Sequence, residues 1–353
     1  MFPSKKDNYG IFCKKTYDFF NNSKDFKVVK ISAIKGKSQN KYFNIFRYAF
    51  LLFDIFYNLV FKIDNFEIVY IQYVWKHAFF VEKFTNRLKK YNKKVFINFH
   101  GEDLTDFNKL SKNEQKSFKS LCDFSCGMVV PSNYFKNLLC KTVKILGENK
   151  IIVSPSGGID SKIFFKSHKK DNYIIYCSRF DKDKGYDDFI YAVKNLEKKL
   201  NKKFLMLGYG KEIEKVKNLI KEISLENRIE LIENPKQALI AEKYAQGSLF
   251  IFPTRLSESL GLAPLEAMSC GLSVISSNIG ATSEYVEDGK NGFLYEAGNI
   301  NQLTSKIEDF FNFSEEEQKK MRKNAIETAN RYKDIEVELD FIRKINDFFN
   351  NQN

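Results

Sequence analysis

Residues 252–275 read FPTRLSESLGLAPLEAMSCGLSVI, and this stretch decides how the rest of the chain is to be read. LFIFPT closes an apolar strand, RLSESLGL is a loop, and a helix is predicted from about Leu262. Pro264 falls in the first helical turn, where a missing N–H costs nothing, and Gly271 falls just past the helix end. A helix N-terminus behind a strand presents unbonded backbone N–H groups and a partial positive charge, which together make a seat for phosphate. The amides of Ser259, Leu260, Gly261 and Leu262 are expected to face such a ligand. Glu258 precedes the helix and can reach the crevice, while Glu266 lies inside the helix.

Outward from this segment the second half of the chain repeats β-α units. Strands are expected at Tyr173–Phe180, Lys203–Gly210, Arg228–Glu233 and Ser248–Thr254, with amphipathic helices between them. Such alternation favours a parallel sheet covered by helices on both faces. The first half carries strand candidates at Phe26–Ser32, Phe66–Gln72, Lys94–Gly101, Gly127–Ser132 and Ile151–Gly157. Two doubly wound Rossmann-like domains are therefore predicted. Their expected bounds are residues 1–165 and 166–333, with a helix over 334–353 packing back on the first domain. No apolar strand precedes the glycine turn at Gly10, so the first domain is expected to lack its first strand.

Other residues gather at predicted strand ends. In SRFDKDKG (178–185), Arg179 offers a bidentate fork and Lys184 a point charge for a diphosphate. GYG (208–210) reads either as a tight turn or as a close approach to a nucleotide. FINFHGED (96–103) places His100 at a strand end. As residues alone, a solvated charged turn is the usual fate of such a run, and a strand-end histidine is more often structural.

The Glu258–Glu266 spacing, with GATSEYVEDGKNGFLYE (280–296) behind it, resembles the Glu–seven residues–Glu motif of retaining GT-B glycosyltransferases, family 4 in particular. The resemblance covers about Phe2 to Tyr332 and is strongest over 173–296. It implies a GT-B fold, two domains facing across a cleft. It implies that Glu258 contacts donor-sugar hydroxyls, that Glu266 holds the ribose, and that Arg179 and Lys184 grip the pyrophosphate. It further implies that His100 faces the sugar, that Gly208 and Gly10 approach the donor, and that Glu233–Pro235 packs the base. The reaction implied is sugar transfer with retention from a nucleotide diphosphate sugar, UDP favoured. The acceptor would be a glycan or lipid-linked saccharide in cell-surface polysaccharide synthesis. An epimerase of the same fold, or a non-catalytic nucleotide-sugar binder, is the alternative. Ser273 stands where the family usually has Pro.

Composition narrows the classes further. The chain has 353 residues, a net charge of +13, six Cys without a CxxC pair and three His, so a His/Cys metal site is not expected. No cofactor and no metal are expected, the cations of Arg179 and Lys184 standing in for a divalent ion. The start MFPSKKDNYG lacks an apolar h-region, and a cytoplasmic protein is expected. Residues 1–170 hold 31 Lys and Arg against 14 Asp and Glu, whereas residues 171–353 hold 26 against 30. The basic half suggests an anionic partner. No nucleic-acid motif accompanies it, so nucleic acid is not expected. In YFNIFRYAFLLFDIFYNLVF (42–61), Asn44, Arg47, Asp54 and Asn58 share one narrow arc at helical spacing. The segment is too interrupted for a membrane span. It reads either as a helix packed in the first domain or as one seated in an anionic membrane surface.

Overall fold

The computed structural model describes residues 11–34, 40–74, 76–144, 148–166 and 173–350. The contacts divide it into two units. One gathers the described residues up to Gly157 together with those from Glu338 on, and the other runs Gly158–Val337. The division falls ahead of the expected bound between residues 165 and 166. Ile159 donates its N–H to Tyr332 (2.7 Å) and accepts that of Asp334 (2.8 Å), which ties the stretch after Gly158 to the second unit. The final helix, Asp334–Asn350, starts in the second unit and ends in the first.

In the first unit β1 (Ile68–Gln72), β2 (Lys94–Asn98), β3 (Gly127–Val130) and β4 (Ile151–Val153) pair in parallel and in chain order. The apolar runs KVFIN and GMVV are buried almost throughout, as strands covered on both faces require. Among the described residues β1 is the first strand. Phe26–Ser32, expected as a strand, is instead extended chain without ladder partners. Its Val29 and Ile31 are exposed, and side chains fasten it in place of a ladder. Ser32 Oγ donates to Asp54 (2.6 Å) and Lys30 pairs with the same carboxylate (2.9 Å). Gly10 lies outside the described residues.

The end of the last helix completes this unit. Buried Phe341 packs on Phe19, Phe20 and Tyr70, and Phe348 and Phe349 meet Phe96. Lys344 Nζ donates to the carbonyl of Val153 (2.9 Å).

The second unit holds a parallel sheet of six strands. Its strands are β5 (Tyr173–Arg179), β6 (Lys203–Tyr209), β7 (Ile229–Glu233), β8 (Gly247–Phe252), β9 (Ser273–Ser277) and β10 (Gly292–Tyr295). The order is β10-β9-β8-β5-β6-β7. The chain therefore winds outward from β5 through β6 and β7, returns to β8 on the other side of β5, and winds out again. That reversal leaves a crevice beyond the carboxyl ends of β5 and β8, the place where ligands bind in open α/β sheets. Alternate strand residues feed two cores. Ile174, Tyr176, Met206 and Ile251 face one side, and Ile175, Cys177, Leu205 and Phe250 the other.

Replacing Phe341 by Ala should destabilise the first unit by about 3 kcal/mol, since a packed aromatic is lost from a site that cannot collapse. Urea unfolding of the full chain measures this, and a change below about 1 kcal/mol would contradict the packing described.

Candidate functional site

At the carboxyl end of β5 the chain turns through Arg179–Gly185 and enters the helix Tyr186–Leu196. At the end of β8 it turns through Pro253–Gly261 and enters the helix Leu262–Ser269. Gly185, at φ +70°, lies so close to the second loop that a Cβ would stand 1.7 Å from the carbonyl oxygen of Pro253. Only glycine fits there, and the two loops are thereby held edge to edge. Arg255 donates its N–H to the Asp183 carbonyl (2.8 Å), and Tyr176 donates its hydroxyl to the Lys184 carbonyl (3.2 Å).

This contact brings two of the predicted residues together. Lys184 Nζ lies 2.5 Å from Glu258 Oε1, with side chains only 9% and 18% exposed. The same carboxylate oxygen accepts from Thr254 Oγ1 at 3.3 Å. Arg179 is half exposed at the strand end and pairs with Asp181 (3.0 Å). Leu260 is buried and Ser259 lies in the loop before it. Gly261, at φ +77°, is the N-cap of the Leu262–Ser269 helix, and no side chain caps that end. Tyr285 fixes the cap by donating its hydroxyl to the Gly261 carbonyl (3.0 Å). Amides of an uncapped first turn are what an anion would meet. Glu266 lies within the helix, and its charge helps burial raise the thiols of Cys177 and Cys270 and the phenol of Tyr244.

Gly208 has a packing reason of its own, because a Cβ there would stand 2.0 Å from the Ser178 carbonyl oxygen across the β5–β6 pair. Its backbone also serves the next strand end, the Asn234 N–H bonding to its carbonyl (2.8 Å) beside Glu233, which pairs with Lys217.

His100 belongs to the first unit, at the end of β2. The parallel register sets Gln72 opposite Asn98, so the ends of β1 and β2 share one place. His100 Nε2 lies 2.6 Å from Gln72 Oε1, and the Tyr73 ring packs against the imidazole, tilted by 42° with centroids 4.6 Å apart. An acceptor at Nε2 selects the Nε2–H tautomer. Burial lowers the imidazole pKa to about 3, so the ring is neutral. Asp103 anchors the turn below it, accepting the N–H groups of His100 (3.0 Å), Gly101 (2.8 Å) and Val74 (3.3 Å). Burial raises that carboxyl to about 6 against the pull of those N–H groups.

Several supporting residues had no place in the sequence reading. Arg255 is clamped by Asp187 and by the buried Asp188, bonding the latter through both Nε and a terminal nitrogen. Gly280 presses on the backbone of Glu258, where a Cβ would stand 2.6 Å from its N, and Ala281 donates its N–H to the Glu258 carbonyl (3.1 Å). The sequence signal for Arg255 was a charge in the loop three residues past the largely apolar strand β8. Among the described residues no group of three His, Cys, Asp or Glu is placed to hold a metal ion.

Residues 160–328 match the family described as Glycosyl transferases group 1. Over 239 residues the chain is 30% identical to an uncharacterised glycosyltransferase of Methanocaldococcus jannaschii, covering 67% of this chain and 63% of that protein. Over 198 residues it is 30% identical to the capsular polysaccharide biosynthesis glycosyltransferase CapM of Staphylococcus aureus, covering 48% of each. The matched region is thus under two thirds of either relative's length. The structure of Anabaena HepE in complex with UDP superposes with a TM-score of 0.78 at 16% identity, covering 98% of both chains. The fold is GT-B.

In this GT-B chain Asp103 and His100 oppose one another in acid. The Asp103 carboxyl, raised from 3.8 to about 6, adds stability as pH falls from 6 towards 4. His100, lowered from 6.5 to about 3, removes stability over the same fall. Asp103→Asn should therefore make the loss of stability between pH 6 and pH 4 steeper, by about 1.4 kcal/mol per pH unit. Urea midpoints of wild type and variant at the two ends of that range provide the check, and equal slopes would sink the assignment.

Proposed function

We propose that this chain is a cytoplasmic glycosyltransferase that moves a sugar, with retention, from a UDP-sugar to a glycan or lipid-linked saccharide acceptor in cell-surface polysaccharide synthesis. The observation that carries the reading is the Lys184–Glu258 pair beside an uncapped helix N-terminus, at the switch point of the six-stranded sheet. The group 1 match spans this same region, the HepE structure was solved with UDP, and CapM is named for capsular polysaccharide.

In this reading the donor pyrophosphate meets the Leu262 end of the helix, Arg179 and Lys184. Arg179 turns from Asp181 to the phosphates, and Glu258 accepts hydrogen bonds from sugar hydroxyls while Lys184 stays at its side. Glu266 takes the ribose hydroxyls. As the glycosidic bond breaks, negative charge grows on the leaving diphosphate. Fixed cations and amide dipoles stabilise that charge more than they stabilise the ground state, which is what lowers the barrier. The leaving oxygen, on the same face as the acceptor, takes the acceptor's proton, so that no protein nucleophile is required and configuration is kept. No metal cofactor enters this scheme.

Glu258→Ala and Arg179→Ala should each reduce transfer by about 100-fold or more, equivalent to about 2.7 kcal/mol of transition-state stabilisation. Melting of the free protein should be unchanged in Arg179→Ala and lowered in Glu258→Ala, which leaves the buried Lys184 without its carboxylate. The first measurement is a thermal-shift panel of UDP-, GDP- and ADP-sugars. A ligand at about 100 times its Kd adds about 2.7 kcal/mol of apparent stability. UDP-sugars should raise the midpoint in wild type and less in Arg179→Ala. Near-normal turnover in either variant would reject the site, and conversion of donor without acceptor would favour the epimerase.

A further inference from the structure

The helix Lys41–Phe61 is amphipathic in the inverted sense. Its polar residues are bonded within the helix and to the 30–32 segment: Asp54 takes Ser32 and Lys30, Asn58 donates to the Asp54 carbonyl (2.6 Å), and Arg47 reaches Asn44. Leu51 and Leu59 are buried on the same half of the wheel. The opposite arc carries Tyr42, Phe46, Phe50, Phe53, Tyr57 and Phe61, exposed by 42–83%, and at helical spacing no charged side chain interrupts it. An aromatic stripe of this length facing outward is what marks an interaction surface and not a folding remainder.

We propose that this arc seats the first unit in the interface of an anionic lipid bilayer, with the helix lying parallel to the membrane plane. Three observations choose that occupant. Lys41 opens the helix and Lys62 follows its last residue, and they sit in a half of the chain with 31 basic against 14 acidic residues. A second copy of this chain would bring like-charged lysines at the helix ends together, whereas anionic headgroups neutralise them. The helix has 21 residues and enough hydropathy to cross a bilayer, but only 11% of its apolar window is buried and its inner face is tied down. Arg87 donates to the carbonyls of Leu59 (2.9 Å) and Val60 (2.7 Å), and Asp54 holds the 30–32 segment. Spanning would break these bonds and place a carboxylate in hydrocarbon, whereas lying in the interface breaks none of them. The inference is independent of the donor site, which lies in the other unit.

The test is flotation of the full chain with vesicles of phosphatidylcholine alone or mixed with phosphatidylglycerol. Wild type should float with the mixed vesicles and be released in part by salt. A variant carrying Phe46→Ser, Phe50→Ser and Phe53→Ser should partition at least about tenfold less while melting and binding UDP as wild type does. Phe53→Trp, a milder change, should show a blue-shifted emission on mixed vesicles and quenching by brominated lipid chains. Wild type that floats with neither vesicle, a triple variant that floats normally, or a Phe53→Trp emission that does not move would each overturn the proposal. So would light scattering that shows a dimer dissociated by the serine substitutions with no change in flotation.

Discussion

The ion pair between Lys184 and Glu258 is the contact on which the second unit's ligand end depends. Taking an ammonium and a carboxylate this far out of water costs several kcal/mol per ion, and their attraction repays it only when geometry and further hydrogen bonds are good. Here the carboxylate also receives Thr254 Oγ1, and Thr254 is itself fully buried. The pair is therefore better understood as a register device than as a source of stability. It fixes which residue of the loop after β8 faces which residue of the loop after β5. An ion pair placed this way leaves a cation and an anion already largely desolvated at the carboxyl ends of β5 and β8.

The pair could not form without backbone that allows the loops to touch. Gly185 admits the Pro253 carbonyl, and Gly280 admits the backbone of Glu258 from the other side. Arg255, gripped by Asp187 and Asp188, then holds the middle of the loop to the start of the helix that follows β5. Burial raises the Asp188 pKa while Arg255 opposes it, so this clamp works against its own desolvation. A loop that must present Glu258 in one orientation is thus fixed by glycine contacts at two points and by charge at a third.

Much of this was legible in the sequence, and the limits have physical causes. The second-half strands and the helix beginning at Leu262 follow from apolar runs bounded by Gly and Pro, signals that act locally. The nearness of Lys184 to Glu258 was implied by both loops following strands of one parallel sheet, but adjacency of β5 and β8 is a long-range fact. Phe26–Ser32 has strand-like alternation, yet alternation states only that a segment is suited to pairing. Its partner is missing among the described residues, and Asp54 holds it through Ser32 and Lys30. Asp103 closes the FINFHGED stretch, yet its role there could not be read, because accepting backbone N–H groups leaves no pattern beyond its own identity. Gly208 illustrates the reverse case: its absence of a side chain is required by Ser178 whether or not a nucleotide is bound.

The Lys41–Phe61 helix shows why periodicity has no sign. The narrow arc of Asn44, Arg47, Asp54 and Asn58 was correct as a pattern, and a pattern of this kind ordinarily turns its polar arc to water. In this chain the polar arc is consumed internally, since Asp54 is satisfied by Lys30, Ser32 and Asn58. Those three partners together hold the Asp54 pKa below its usual value, although burial opposes them. A carboxylate so well supplied with donors has no need of solvent. The helix is then free to direct its aromatic arc outward, and Lys30 and Ser32, some twenty residues upstream, act with Arg87 and the buried Leu51 and Leu59 to decide which face becomes which. Helical spacing of polar and apolar residues separates two faces; which of them turns outward is set by what the inner one finds to bond.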